Sequence, residues 1–355
     1  TRTPLVPRSA GTGMPGGNVG SGIAVDLLSP FRSIAPPDPA SATIQVEGGA
    51  TLAQVNAHCR PLGFHFPVDP SSGERCTFGG MLANNSGGPH SVRYGSTRRW
   101  VRELELVLGD GTRTRIVRGA KPEDPRLLEI DARLRESLEG DRQRIEASWP
   151  RVRKNSSGYA LLDYLRSGDL VDLIIGSEGT LALIVSAVLD LTPLPLHHGL
   201  VVLEFTDLEQ AGAAVAPIVQ EDPATCEMLD RTFLELVQRA GRDDGYPLRS
   251  GLEAILLVEV DGDSEAEVAD AAERVVRAGT THGGRSTVAL SADAQARIWT
   301  LRRAASPIIA EQAGSRVSMQ FIEDSVVPVD RLADYVRGLR SILARHELPA
   351  VIFGH

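Results

Sequence analysis

The chain has 355 residues, of which 42% are hydrophobic and 23% charged, a composition typical of a globular protein large enough for two domains. Its formal net charge of −9 argues against a nucleic-acid-binding protein, which would need a basic surface. No run reaches the roughly 20 apolar residues of a membrane-spanning helix. We therefore expect no nucleic-acid partner and no membrane span.

The three cysteines, Cys59, Cys76 and Cys226, lie far apart and form no metal-binding or redox pair. This usage is typical of structural thiols in a reducing compartment, which predicts a cytoplasmic location. The chain begins at Thr1 without a methionine and stops at His355 directly after an apolar run. We expect it to be a segment of a longer protein.

The first glycine-rich stretch follows an extended Leu5-Val6 and covers residues 8–18. Such a run of small residues can form a nest of backbone N–H groups that holds a phosphate. It is not a P-loop, because the Gly-Lys-Ser/Thr ending is missing. It is not the Rossmann fingerprint either, because residues 22–27 alternate like a strand. Phosphate contact and an ordinary loop both remain open here.

Several local elements follow. Residues 42–47 predict a strand, and Thr51 with Gln54 has the spacing of a capping box that opens a helix, which Pro61 would end. Residues 121–149 are charge-rich and helical, and their charges predict a solvated face.

The densest stretch covers residues 78–96 and places the adjacent Asn84 and Asn85 among five glycines, Gly79, Gly80, Gly87, Gly88 and Gly95. Glycine loses much conformational entropy on folding, so such a cluster indicates either surface turns or a backbone pressed against a flat or anionic ligand. The apolar residues 81–83 predict a short buried turn between the glycine pairs.

Residues 101–108 and 112–117 predict a hairpin across Gly-Asp-Gly at 109–111. Residues 173–185 then form an apolar run, a polar turn and a second apolar run, which predicts two strands enclosing Gly-Ser-Glu-Gly at 176–179. The turn is either a simple connection or a site where a ligand meets backbone donors beside a carboxylate.

After residues 193–195 the pattern changes to alternating strands and helices, which predicts a separate α+β domain with antiparallel pairing. Its predicted elements are strands at 199–205 and 254–260, and helices at 209–219, 232–239 and 265–277.

Residues 291–313 predict a helix, 319–327 a strand and 330–346 another helix. Trp299 and Arg302, three residues apart, share a face of the first of these helices. Arg302 is either a clamp for a carboxylate, which its fork matches, or a solvated arginine.

Three motifs occur in order in the first half: Arg-Ser-Ala-Gly-Thr-Gly at 8–13, Gly-Gly-Met-Leu-Ala-Asn-Asn-Ser-Gly-Gly at 79–88 followed by Arg-Tyr-Gly-Ser-Thr at 93–97, and Gly-Ser-Glu-Gly-Thr-Leu at 176–181. Together they resemble the FAD-binding domain of the vanillyl-alcohol oxidase and p-cresol methylhydroxylase superfamily. Trp-Thr-Leu-Arg at 299–302, Ile-Glu-Asp-Ser-Val-Val-Pro at 322–328 and the terminal Phe-Gly-His resemble the cap domain of its D-lactate dehydrogenase and glycolate oxidase branch.

The resemblance implies an α+β protein. A two-subdomain FAD-binding domain of the PCMH type would cover residues 1–194, with its N-terminal part missing. A ferredoxin-like α+β cap for the substrate would cover residues 195–355, truncated at its C-terminus. The sequence of residues 322–328 and the Asn-Asn-Ser-Gly-Gly motif are most similar to those of long family members that are fused to an iron–sulfur domain. We therefore expect an iron–sulfur cluster in a C-terminal domain of the intact protein.

The resemblance implies non-covalent FAD, because Thr12 stands where covalently linked relatives carry a histidine. Residues 8–13 would offer amides to the pyrophosphate, residues 79–87 would line the pyrophosphate, ribityl and isoalloxazine, and the turn after them would contact the adenosine or flavin side. The implied cofactor-binding residues are Arg8, Ser9, Ala10, Gly11, Thr12, Gly13, Pro70, Gly79, Gly80, Ala83, Asn84, Asn85, Ser86, Gly87, Tyr94, Glu178, Gly179 and Ile184.

The catalytic residues implied by the resemblance are Arg302, which would hold a substrate carboxylate, and His355, which would act in catalysis or bind a divalent metal. The implied reaction oxidises a D-2-hydroxy acid, of the D-lactate or D-2-hydroxyglutarate type, by hydride transfer to flavin N5. Electrons would pass to a quinone, an electron-transfer flavoprotein or an iron–sulfur chain.

Two alternatives remain open: an electron-transfer subunit without its own substrate site, and an O₂-using oxidase of an alditol or lactone. A homo-oligomer and peripheral association with the inner face of the membrane are compatible with each of these functions.

Overall fold

The computed structural model describes residues 3–13, 16–242, 246, 249–303, 325–348 and 350–355. The chain divides into two compact units, Thr1–Leu194 and Pro195–His355. Both units combine helices with sheets, which confirms the predicted α+β class. Within the described ranges, no helix is long and apolar enough to cross a membrane.

The strands of the first unit are, in chain order, β1 (Leu5–Arg8), β2 (Ile23–Asp26), β3 (Thr43–Glu47), β4 (Phe64–His65), β5 (Val101–Val107), β6 (Arg113–Val117), β7 (Leu183–Asp190) and β8 (Thr192–Pro193). The main sheet has the order β3-β7-β5-β6 with antiparallel neighbours. Strands β1 and β2 pair in parallel, and β4 pairs with β8 antiparallel. The predicted hairpin is confirmed as β5 and β6.

The helices of the first unit are α1 (Leu52–Cys59), α2 (Phe78–Asn84), α3 (Ser91–Tyr94), α4 (Pro125–Glu139), α5 (Arg142–Ser148), α6 (Leu161–Ser167) and α7 (Leu170–Ile174). The predicted capping box is confirmed, because Thr51 Oγ1 accepts from Gln54 N while Gln54 Oε1 accepts from Thr51 N. Helices α1, α2 and α7 bury their apolar side chains in one core with the main sheet.

Two predictions in this unit are wrong. Residues 81–83 belong to helix α2, not to a turn, and the expected strand at residues 173–175 is the end of helix α7 and the residue after it. Asp169 caps α7 by accepting from Val171 N over 2.8 Å. An apolar run this short fits a strand or a buried helix equally well, so the cap and tertiary burial decide.

The second unit contains β9 (His197–Phe205), β10 (Thr225–Asp230), β11 (Ala254–Gly262), β12 (Arg285–Ala289) and β13 (Phe353–Gly354), together with helices α8 (Leu208–Gln220), α9 (Arg231–Arg239), α10 (Glu265–Thr280), α11 (Ala292–Arg303) and α12 (Leu332–Arg345). Its sheet has the order β12-β9-β11-β10-β13, and its strands pair antiparallel as predicted. Helices α8, α10 and α12 cover one face, while α9 and α11 cover the other.

The sequence patterns predicted β9, β11 and the helices α8 to α10, but not strands β10 and β12. All six residues of β10 are buried, so the strand lacks the alternation by which a half-exposed strand is recognised. The predicted strand at 319–327 falls largely outside the described residues, as does the helix at 291–313 beyond residue 303.

Candidate functional site

The loop after β1 lies directly against the start of α2. A Cβ on Gly79 would lie 3.1 Å from Ser9 Oγ and 3.0 Å from the carbonyl oxygen of Gly48, and one on Gly80 would lie 3.5 Å from Ser9 Cβ. Gly79 N donates to the same Gly48 carbonyl over 2.7 Å. The backbones approach so closely at position 79 that only glycine fits without displacement.

The turn at residues 176–179 lies against the end of α2. Glu178 N donates to Ala83 O over 2.8 Å, and Asn84 Nδ2 donates to Glu178 Oε1 over 2.9 Å. On the other side, a Cβ on Gly179 would lie 2.5 Å from Pro7 Cγ. The turn is therefore held between α2 and β1.

These contacts bring the three glycine-rich motifs together, and we call residues 8–13, 79–87 and 176–179 the cradle. The predicted residues Arg8, Ala10, Gly11 and Thr12 belong to its first segment. Gly11 has a φ of +69°, a conformation that favours glycine. Predicted Ile184 lies on β7 and is 5% exposed.

The end of α2 is fixed by Asn85, which has a φ of +55° and is 1% exposed. Its Oδ1 accepts from Arg98 N over 2.9 Å. The next residue is also held, because Ser86 O accepts from Thr97 N and Thr97 Oγ1, over 3.0 and 2.8 Å. Asn85 thus faces the protein interior, whereas exposed Asn84 faces the turn.

The predicted residues Pro70 and Tyr94 lie beside an Asp69–His90 pair that the sequence patterns did not indicate. His90 N donates to Asp69 Oδ1 over 3.1 Å, and His90 Nδ1 lies 2.7 Å from Asp69 Oδ2. The ring of Tyr94 stacks on that of His90 with centroids 6.3 Å apart. The pair joins two segments that no local pattern connects, so no sequence signal could have found it.

The cradle and two residues beside it, Thr77 and Lys154, have groups that suit a polar, anionic ligand. A Cβ on Gly13 would have no heavy atom of the described residues, its chain neighbours aside, within 4 Å. The hydroxyls of Thr77 and Ser177 are buried and have no hydrogen-bond partner within the described part of the chain. Lys154 Nζ would lie 2.9 Å from a Cβ on Gly87, which places a cation beside the end of the second cradle segment. Buried hydroxyls without partners are unfavourable, so they fit a bound acceptor.

A second group of side chains lies in the second unit, and we call Glu227, Arg302, Phe353 and His355 the Arg302 cluster. Glu227 is fully buried, and its Oε2 lies 2.5 Å from Arg302 Nε. Its Oε1 lies 3.1 Å from His355 Nδ1, an ion-pair distance, although the geometry departs from that of a hydrogen bond. The Arg302 guanidinium stands 5.1 Å above the Phe353 ring.

The cluster forms because β13 pairs with β10, with Met228 opposite Gly354 and Leu229 opposite Phe353. One step further in this register places His355 opposite Glu227. Burial alone would raise the pKa of Glu227, but His355 and Arg302 outweigh burial and hold the pKa below its usual value. Glu227 was not predicted, although a glutamate inside the apolar run of β10 is a signal that could have found it.

The predicted cofactor-binding residues therefore lie in the first unit, and the predicted catalytic residues Arg302 and His355 lie in the second. Among the described residues, no group of three or more His, Cys, Asp or Glu side chains could hold a metal ion. The residues around His355 thus do not complete the metal site that the resemblance allowed. The three cysteines are buried and unpaired.

Two protein families match the chain. The FAD binding domain matches residues 1–116, and the C-terminal domain of FAD linked oxidases matches residues 194–355. Among solved structures, alkyldihydroxyacetonephosphate synthase is similar with a TM-score of 0.58 and 16% identity, covering 87% of this chain and 51% of that one. At this identity the likeness shows the fold alone.

Curated relatives align over nearly the whole chain. D-2-hydroxyglutarate dehydrogenase of Pseudomonas putida is 30% identical, over 99% of this chain and 37% of that protein. D-lactate dehydrogenase of Anaerostipes hadrus is 28% identical, and glycolate oxidase subunit GlcD of Bacillus subtilis is 27% identical. Each of these two alignments covers 100% of this chain and 66% of the relative. The chain thus spans little more than a third of the length of the dehydrogenase from P. putida.

Proposed function

The chain belongs to the FAD-linked oxidase superfamily, and we propose that it is the flavin-binding and substrate-binding part of a dehydrogenase that oxidises a D-2-hydroxy acid to the 2-oxo acid. The proposal rests on the hydrogen-bond partners of the Arg302 guanidinium. Its Nε is bound by Glu227, and within the described residues neither Nη group donates to a protein acceptor. The fork formed by these two Nη groups matches the two oxygens of a carboxylate.

The curated relatives support this substrate class. They are named for D-2-hydroxyglutarate, D-lactate and glycolate, which are all 2-hydroxy acids. These acids share a carboxylate next to the carbon that is oxidised. One arginine can therefore orient every member of the class, and other residues would distinguish their side chains.

The cofactor is FAD, and we assign it to the cradle. The small residue Gly13, the hydroxyls of Thr77 and Ser177 and the cation of Lys154 fit its anionic and polar groups. Residues 8–13 contain no histidine, so we propose non-covalent binding. When bound, FAD supplies the acceptor for the hydride that leaves the substrate.

Arg302 binds the substrate carboxylate through its two Nη groups and so fixes the orientation of the carbon beside it. His355 accepts the hydroxyl proton, because its imidazole is the basic group next to the guanidinium in the Arg302 cluster. We assign no step to a metal, because the described residues near His355 do not form a ligand set.

The electron acceptor is part of the proposal. A quinone, an electron-transfer flavoprotein or an iron–sulfur chain, including a cluster in a further domain of the intact protein, would take electrons from the flavin. We propose a cytoplasmic location, in keeping with three separate, buried cysteines.

The test is anaerobic mixing of FAD-loaded full-length protein with D-lactate or D-2-hydroxyglutarate. We expect loss of the main visible absorption band of the flavin with the D-acid and not with its L-isomer. A flavin that no 2-hydroxy acid bleaches would favour the electron-transfer subunit. Stoichiometric peroxide from an alditol or lactone in air would favour the oxidase.

A further inference from the structure

We propose that Glu227 is the positioning residue of the Arg302 cluster, holding the guanidinium and the His355 imidazole in one fixed arrangement through its two carboxylate oxygens. The inference rests on the proposed function, since these are the two groups that meet the hydroxy acid there. Glu227 touches neither substrate nor cofactor and acts only through its two partners.

The contact with Arg302 determines which edge of the guanidinium is offered. Glu227 Oε2 occupies the Nε–H at 2.5 Å, so the end-on fork of two Nη groups is the edge left for a ligand carboxylate. The Phe353 ring, 5.1 Å from the guanidinium carbon, limits movement on one side of the plane. The Arg302 side chain is only 13% exposed, so most of it is covered by protein and only one edge can reach a ligand.

The second oxygen acts on the imidazole. Glu227 Oε1 is buried, has no hydrogen-bond partner among the described residues and lies 3.1 Å from His355 Nδ1. A small rotation of the ring would satisfy this oxygen, which is otherwise a costly buried acceptor. With Nδ1 directed at Glu227, Nε2 is the ring nitrogen that faces a ligand.

A role in stability alone does not account for this residue. Burying a carboxylate completely is expensive, and buried ion pairs are often no more stabilising than well-packed apolar residues. On the same side of β10, the next inward position is the apolar Leu229, which packs with α9 and α11. Position 227 could therefore hold an apolar side chain if packing were its only task.

The experiment uses full-length FAD-loaded protein carrying Glu227→Gln, Arg302→Met or both changes. The matched control is Glu204→Gln on β9, because Glu204 is also a carboxylate paired with an arginine, 3.3 Å from Arg249 Nε, and belongs to no part of the cluster. We expect Glu227→Gln to lower kcat/KM for the D-2-hydroxy acid roughly ten- to hundredfold, and the control to leave it unchanged.

The double variant separates positioning from stability. If Glu227 acts through Arg302 and His355, removing Arg302 takes away one of its two partners, so Glu227→Gln should cost less in the Arg302→Met background than in the wild type. The inference would be overturned if the loss of kcat/KM in the double variant equalled the product of the two single losses. Wild-type kinetics in Glu227→Gln would overturn it as well. Should Glu227→Gln not fold, Glu227→Asp keeps the charge but is too short to reach both partners, so wild-type kinetics in that variant would also overturn it.

Calorimetric binding of oxalate separates this inference from the proposed function. If no 2-hydroxy acid is oxidised by the wild type, the proposed function fails. Positioning by Glu227 is still supported if oxalate binds the wild type and Glu227→Gln weakens that binding about tenfold or more. Equal oxalate affinity in the two proteins would refute it.

Discussion

Asn84 donates from Nδ2 to Glu178 Oε1 over 2.9 Å, joining the end of α2 to a turn 94 residues later in the chain. The bond is exposed, whereas the adjacent Asn85 is buried and bound by Arg98 N. Two neighbouring asparagines thus have separate tasks. Asn85 holds the left-handed end of the helix, and Asn84 connects two segments of the cradle.

Replacing Asn84 by alanine should loosen the turn and weaken FAD binding. An exposed hydrogen bond contributes about 1 kcal/mol, so we expect the dissociation constant of FAD to rise roughly two- to tenfold. Fluorescence of FAD released on dilution measures it. The control is Glu103→Gln on β5, which disrupts an exposed ion pair with Arg115. Unchanged affinity in Asn84→Ala would mean that the backbone bond to Ala83 holds Glu178 alone.

Gly79→Ala should destabilise the first unit and impair FAD loading. The added Cβ would meet Gly48 O at 3.0 Å and Ser9 Oγ at 3.1 Å, and overpacking of this kind costs about 1–3 kcal/mol. Gly109→Ala is the matched control, because a Cβ there has no neighbour within 4 Å. Thermal unfolding and FAD content of the two variants give the comparison. Equal melting temperatures would show that the loop containing Ser9 moves aside without a loss of stability.

Arg302→Ala should remove most turnover while FAD remains bound. Loss of the fork releases the carboxylate, and misplacing a substrate costs about a hundredfold in rate. Arg297→Ala, an exposed arginine on the same helix, is the control and should retain full activity. Steady-state kinetics and the flavin absorption spectrum provide the readouts. Normal turnover in Arg302→Ala would remove the clamp assignment.

The stability of the second unit should decrease as pH rises from about 4 to 6, because of Asp230 at the end of β10. Burial raises the pKa of Asp230 to about 6 from 3.8, although the N–H groups of Phe233 and Ile352 act in the opposite direction. Within this window the unfolded chain has lost the proton that the folded protein keeps. Ionisation therefore favours unfolding, by roughly 2–3 kcal/mol once complete.

Asp230→Asn tests this effect, since asparagine can still accept from Phe233 N as the cap of α9. The variant should gain melting temperature relative to wild type at pH 7.5 and lose that gain at pH 4. A difference between the two proteins that does not depend on pH would contradict the assigned pKa.

Local chemistry determined much of what the sequence alone could predict. The capping box of Thr51 and Gln54 and the turn at residues 109–111 form within a few residues, so their patterns predicted α1 and the β5–β6 hairpin. The order of three glycine-rich motifs indicated the superfamily. The small residues of these motifs let their backbones approach one another, as Gly79 and Gly48 do in the structure.

Only the tertiary structure decided what depends on distant partners. Residues 170–174 are apolar enough for either a strand or a helix, and burial with the Asp169 cap made them helix α7. A glutamate within β10 marks Glu227 as unusual, but the sequence does not show what it contacts, because both partners come from other elements: Arg302 at the end of α11 and His355 after β13. A charge becomes buried and paired only when the whole sheet has assembled, which a sequence period of two or 3.6 residues does not encode.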